Sequence, residues 1–242
     1  MKQIEVPFMD YRLYAGTLEE LPKEGQLVIN TLNQYSYCIA EQDEAFKKAL
    51  LDSDILLPDG IGVVASVFLL NRHRIKKIAG ADLFRQQMKK LEKEKRSCFF
   101  LGSHETTLNL IKEKLAREYP SVRAGFYSPP FKPVFSKEDN EEMIRAVNGF
   151  QPDVLFVGMT APKQEKWAHE HKDLLSAKTI CSIGAVFDFY AGTVERPAKI
   201  WITLGLEWFV RLLNEPKRMW RRYLLYGPLF AYSVVRKKIS GT

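Results

Sequence analysis

Apolar residues in this chain fall into short dense runs, separated by longer stretches where they recur every three or four positions. The runs are "QLVINTL" (26–32), "DILLP" (54–58), "SCFFLGS" (97–103), "VRAGFYS" (122–128), "DVLFVGM" (153–159) and "KTICSIG" (178–184). They are rich in β-branched and aromatic residues, which predicts strands. Between them the helical spacing predicts helices at about 36–50, 60–70, 81–95, 104–118, 137–148 and 163–175. Strands apolar on both faces that alternate with helices pack as a parallel sheet covered on both sides. The expected fold is therefore α/β, a Rossmann-like open and mainly parallel sheet.

After Gly184 the pattern changes. Ile200, Leu204, Trp208 and Leu212 form an apolar stripe at helical spacing. Pro216 opens a second segment, "PKRMWRRYLLY", with basic and aromatic residues interleaved, and Gly227-Pro228 is expected to end it. "LFAYSVV" and then Arg236, Lys237 and Lys238 follow, a pattern that suits the interface of a bilayer.

Charge supports this division. Residues 196–242 hold ten Lys/Arg against two Asp/Glu, a net of +8, while the whole chain of 242 residues is +7. We expect a catalytic domain over 1–195 and a helical, basic-aromatic appendage over 196–242 that meets an anionic partner. Cys38, Cys98 and Cys181 are too scattered for a disulfide framework or zinc site, which suits a reducing cytosol. The first residues lack the apolar region of a signal peptide, and no stretch of 18 uncharged apolar residues exists to span a bilayer.

In an open parallel sheet, ligands bind beyond the carboxyl ends of the strands. That rule selects Thr31 and Asn33, Asp59, Gly102 and Ser103, Gly158 ahead of "TAPKQEKW", and Gly184 ahead of "AVFDF" with its Asp188. Asp59 is the acidic residue directly at a strand end. It has two readings, an N-cap for the helix after Pro58 or a general base. A helix N-terminus would lower its pKa and burial would raise it. Pro162 suits a helix start, placing Lys163 and Gln164 in a first turn that either binds phosphate or sugar or faces solvent. Lys76 and Lys77 precede Gly80 and a candidate cap, Asp82. Arg211, Arg218 and Arg221 would share one broad face of a continuous helix. "HEH" (169–171) has the wrong spacing for a helical metal pair, and "DGIGVV" lacks a glycine of the dinucleotide fingerprint. His73 reads as a solvated loop residue, and His104 follows an expected cap at Ser103.

Taken together, "LLPDGIGVV", "IAGADL", "FFLGS", "PDVLFVGMTAPKQEKW", "GAVFDFYAGTVERPAKIW" and "LGLEWFVRLLNEPKRMWRRYL" resemble the WecG/TagA/CpsF family of bacterial glycosyltransferases, in order, from about Asn30 to Leu224. The resemblance implies transfer of a sugar from a UDP-sugar to a polyprenyl-diphosphate-linked sugar in cell-surface glycopolymer synthesis. The default reaction adds N-acetylmannosamine to undecaprenyl-diphosphate-GlcNAc with inversion, with no metal and no cofactor, on the cytoplasmic face of the membrane. It implies Asp59 as the base, both cap and base in our reading, with Thr31 and Asn33 near it and Gln164 as an active-site contact. Lys77 stands where the family commonly has Arg, which keeps the charge and loses the planar fork. Arg211, Arg218 and Arg221 match the arginines that the family's membrane-docking appendage gives to the nucleotide. Gly102, Ser103, Gly158, Lys163 and Asp188 are expected substrate contacts. The apolar tail also allows a homo-oligomer that hides it off the membrane. Two rival classes are a nucleic-acid-binding protein using the basic tail and a soluble nucleotide-sugar epimerase or dehydrogenase. The ordered motifs argue against the first, so no nucleic acid is expected, and the missing dinucleotide fingerprint argues against the second.

Overall fold

The structure is a computed structural model that describes residues 4–22, 25–195 and 197–240. Its strands are β1 (Glu5–Phe8), β2 (Tyr11–Tyr14), β3 (Leu27–Leu32), β4 (Ile55–Pro58), β5 (Ser97–Gly102), β6 (Arg123–Tyr127), β7 (Val154–Gly158) and β8 (Thr179–Ser182). The last six form one sheet in the order β4-β3-β8-β7-β5-β6, every neighbouring pair parallel. Each predicted strand lies in this sheet. The chain leaves β5 outward to β6 but leaves β7 inward to β8, and β5 and β7 are neighbours. Their ends therefore diverge and open a crevice at the carboxyl edge.

The helices are α1 (Gln34–Ala40), α2 (Glu44–Leu51), α3 (Ile61–Asn71), α4 (Gly80–Glu94), α5 (Glu105–Glu118), α6 (Lys137–Phe150), α7 (Lys163–His171), α8 (Val186–Ala191), α9 (Lys199–Thr203), α10 (Glu207–Asn214), α11 (Pro216–Trp220) and α12 (Tyr226–Ser240). Strand side chains alternate between two cores, as the pleat requires. Ile29, Leu57, Phe100 and Phe156 pack with α4, α5 and α8 on one face. Val28, Phe99, Leu155 and Val157 pack with α6 and α7 on the other.

A third core lies under the β1–β2 hairpin, where Phe8, Tyr11 and Leu13 meet α1, α2, α3 and α12. Phe230 of α12 sits 6.2 Å from the Phe8 ring and 5.4 Å from that of Tyr37. Burial of such a ring contributes about 1.5–3 kcal/mol, so the last helix is fastened to the body.

Four local expectations are corrected. The helix expected over 36–50 is two, because the Asp43 carboxylate accepts from the Phe46 amide at 3.0 Å and starts α2 afresh. The stripe from Ile200 to Leu212 is divided between α9 and α10, with Gly205 at φ 74° turning the chain between them. Gly227-Pro228 does not end the helical segment. A π turn over Arg221–Leu225 comes immediately before it and displaces the carbonyls that the proline ring would otherwise crowd. The cap before α5 is His104; Ser103 sits one residue earlier at φ 62°. The boundary predicted between 195 and 196 falls on Arg196, outside the described residues. No described helix is long and apolar enough to cross a membrane.

Candidate active site

A cavity of about 980 Å³ opens at the carboxyl edge of the sheet, large enough for a ligand of nucleotide size or more. Strand ends form its floor, the "SPPFKPVFS" loop (128–136) one wall, and α10 with the helical segment from Pro216 its cover. Thr31, Asn33, Asp59, Lys77, Ser103, Gly158, Lys163, Gln164, Asp188, Arg211 and Arg218 all line it. Gly102 and Arg221 do not.

Asp59 follows β4, with its amide bonded to the Leu32 carbonyl at 2.9 Å. It is not the helix cap. Gly60 occupies that position at φ 98°, where a side chain would be strained, and the helix has no side-chain cap. The carboxylate has no hydrogen-bond partner among the described residues. Part of its surface is open to the cavity, yet the protein around it is dense, and burial pushes its pKa up to about 6. Lys77 and Arg211 pull the other way, and Glu207 and Asp82 add to the rise. Burial outweighs the two cations.

Asn33 caps α1, its Oδ1 accepting from the Ser36 amide at 2.9 Å, which leaves the amide nitrogen for a ligand. Gln164, 5% exposed, is held at both ends: Oε1 accepts from the Met159 amide at 3.2 Å and Nε2 donates to Glu165 at 2.8 Å. Its neighbour Lys163 is turned onto the loop wall, donating to the Lys132 carbonyl, with Nζ 3.5 Å from the Phe135 ring centroid. Gly102 is a packing residue. At φ 121°, a Cβ there would lie 2.4 Å from the Gly158 carbonyl oxygen, so β5 and β7 can close up only without it.

The opposite side of the cavity is cationic. Lys77 meets Glu207 at 2.6 Å. Arg211 Nε is buried without a partner, its guanidinium 5.3 Å from the Phe189 ring. Arg218 bonds Glu215 at 2.7 Å and partly offsets the burial that raises the pKa of Asp188. The third arginine is Arg222, not Arg221. Arg222 stacks 4.5 Å from Tyr35, and burial draws its pKa down, whereas Arg221 is exposed beside Trp220. Arg218 and Arg222 are four apart, the spacing that puts two side chains on one face of a helix.

Sequence reasoning also passed over Glu165 and the loop wall. Glu165 is 2% exposed, its Oε2 has no partner, and burial pushes its pKa up to about 7. The acid in "PKQEKW" was visible, but nothing in its spacing marked it as buried.

A family model described as "Glycosyl transferase WecG/TagA/CpsF family" matches residues 3–242. The N-acetylglucosaminyldiphosphoundecaprenol N-acetyl-beta-D-mannosaminyltransferase of Bacillus subtilis (strain 168) is 31% identical over 211 residues, covering 87% of this chain and 80% of its own. The protein of the same name from Bacillus spizizenii (strain ATCC 23059 / NRRL B-14472 / W23) is 32% identical over 185 residues, covering 76% and 70%. With a match along nearly its whole length and a strand-edge cavity holding most of the motif residues, the chain belongs to the WecG/TagA/CpsF family of glycosyltransferases.

Proposed function

We propose that this glycosyltransferase moves a sugar, N-acetylmannosamine by default, from a UDP-sugar to a polyprenyl-diphosphate-linked GlcNAc. Its relatives' names specify that acceptor and sugar. The observation that carries the reading is Asp59: an unpartnered carboxylate in the cavity, with a raised pKa, opposite a set of cations.

The acceptor hydroxyl attacks the anomeric carbon and gives its proton to Asp59 as the bond forms. The bond from that carbon to the diphosphate oxygen breaks, and its electron pair leaves with UDP. Arg211, Arg218 and Arg222 stabilise the charge that grows there, so no metal is required of the step. A single displacement inverts the anomeric centre. Asn33 and Thr31 orient the acceptor, and Lys77 lies between base and diphosphate. Residues 196–242 act as an appendage that covers the donor and holds the enzyme peripherally on the inner face of the membrane, its exposed Trp201, Trp220 and Leu224 meeting lipid.

The test is UDP release from a panel of UDP-sugars with a short-chain polyprenyl-diphosphate-GlcNAc, for wild type and Asp59→Asn. Acceptor-dependent release from one donor, abolished in the variant while UDP still binds, is the expected result. Full activity in the variant would sink Asp59 as the base, and release that ignores the acceptor would sink the reaction.

A further inference from the structure

Helix α3 is apolar on every side. From Ile61 to Leu70, Ser66 is its one hydroxylated residue, and the Ser66 Oγ is returned to the Gly62 carbonyl at 2.7 Å. A helix of this kind is ordinarily enclosed on all faces. Here Val63 and Val67 enter the core, but the outer face is open: Ile61 is 47%, Phe68 40% and Leu69 42% exposed. At its carboxyl end Arg72 and Arg74 both lie over the Phe68 ring, 5.8 and 5.6 Å from its centroid, and Lys76 is exposed beside them. No acidic residue occurs from Gly60 to Ala81.

We propose that the outer face of α3 is a membrane-contacting surface of the catalytic body, separate from the C-terminal appendage, which rests on anionic phospholipid. The helix is about 16 Å long, half of what crossing would need, so it lies in the interface plane. Phe68 and Leu69 enter the acyl boundary while Arg72, Arg74 and Lys76 meet headgroup phosphates. A second copy of the chain fits less well. The segment holds no carboxylate with which the cations of a second copy could pair. The face also continues onto the appendage. Gly205 lies beside Ile61, where a Cβ would be in ordinary contact at 3.5 Å, and Ile200, Trp201 and Leu204 near it in sequence are exposed. Ile61 itself lines the cavity, so a bilayer under α3 lies beside the cavity mouth.

The proposal goes beyond the reaction, and vesicle binding is read without turnover. Cys38, Cys98 and Cys181 are buried, so Leu69→Cys in the full chain can be labelled selectively with an environment-sensitive fluorophore. Its emission is expected to shift blue with phosphatidylcholine vesicles containing about a third phosphatidylglycerol, and not with phosphatidylcholine alone. Independently, unlabelled Arg72→Gln/Arg74→Gln protein should lose about thirty-fold in co-sedimentation with the anionic vesicles. Its melting temperature and its UDP release with a soluble acceptor should be unchanged. Vesicle binding with an unshifted probe, or unaltered partitioning of the double variant, would overturn the proposal and leave the appendage as the sole anchor. A blue shift that grows with protein concentration in the absence of vesicles would overturn it in favour of a second copy.

Discussion

The Lys77 ammonium and the Glu207 carboxylate meet at 2.6 Å, both largely shielded, and so tie the loop before α4 to the first residue of α10. The contact joins the body to its cover beside Asp59, which feels both charges. Lys77→Met and Glu207→Gln should each lower stability, and the two losses should sum to more than the loss in the double variant. A double-mutant cycle should give a coupling of about 1–3 kcal/mol. Strict additivity would show that the pair fastens nothing. Lys77→Arg, which keeps the charge and adds the planar fork, should keep activity within about ten-fold.

As the proposed base, Asp59 should set the acid limb of the pH profile. Its carboxyl titrates near 6 because burial disfavours the charged form, so kcat/KM should fall about ten-fold per unit below that value. Asp59→Asn should cost about a hundred-fold or more. Stability should move the opposite way. A raised folded-state pKa contributes stability at pH values below the unfolded pKa, and that contribution is lost as pH rises through about 6. The Asn variant escapes this loss and should be more stable near neutrality by about 1–3 kcal/mol, the gap closing in acid. Melting curves across pH provide the check, and a variant less stable at every pH would refute the account.

Arg222 and Arg221 separate cleanly. Arg222→Ala should weaken UDP binding and cut kcat/KM about a hundred-fold, the scale of losing one charge-stabilising donor. Arg221→Ala should stay within about three-fold in UDP titration, since its side chain lies outside the cavity. The reverse ranking would mean that the helix turns its other edge to the donor.

Glu165 supplies a second pH signature. Its pKa is pushed up to about 7 by burial, only partly countered by the Gln164 hydrogen bond and the Arg222 charge. The stability it lends in acid is therefore lost as pH climbs through 7. Glu165→Gln keeps an acceptor for Gln164 and should flatten unfolding free energy against pH, with a gain of about 2–3 kcal/mol near pH 8. Parallel curves for the two proteins would dispose of the idea.

The six strands of the main sheet are legible because both their faces are buried, which leaves unbroken apolar runs. The β1–β2 hairpin was not, since its strands carry charged residues on the open face and its turn puts Met9 at φ 53° where glycine or asparagine would give the signal. Asp59, Thr31 and Asn33 could be placed from strand ends alone, because the topology of a parallel sheet dictates where its loops gather, while Gln164 needed the helix start at Pro162 and the family resemblance. Arg222 was legible too, because i, i+7, i+11 keeps Arg211, Arg218 and Arg222 on a narrower helical face than the i+10 position of Arg221. The "SPPFKPVFS" wall lacks any period, and its prolines announce a loop without saying what it borders.

The π turn over Arg221–Leu225 amounts to one residue more than an α-helix would hold between Met219 and Phe230. Deleting a single position there would restore regular winding and keep the flanking residues in phase, whereas inserting one would swing everything after it by about 100°. After such an insertion Phe230 and Val234, now in one core with Phe8 and Tyr37, would point away from it. The helical segment is thus indexed at both ends, by a guanidinium in the cavity and a ring in the core. A single-residue insertion in this stretch is therefore a harsher lesion than most substitutions, and a single deletion at the turn a milder one.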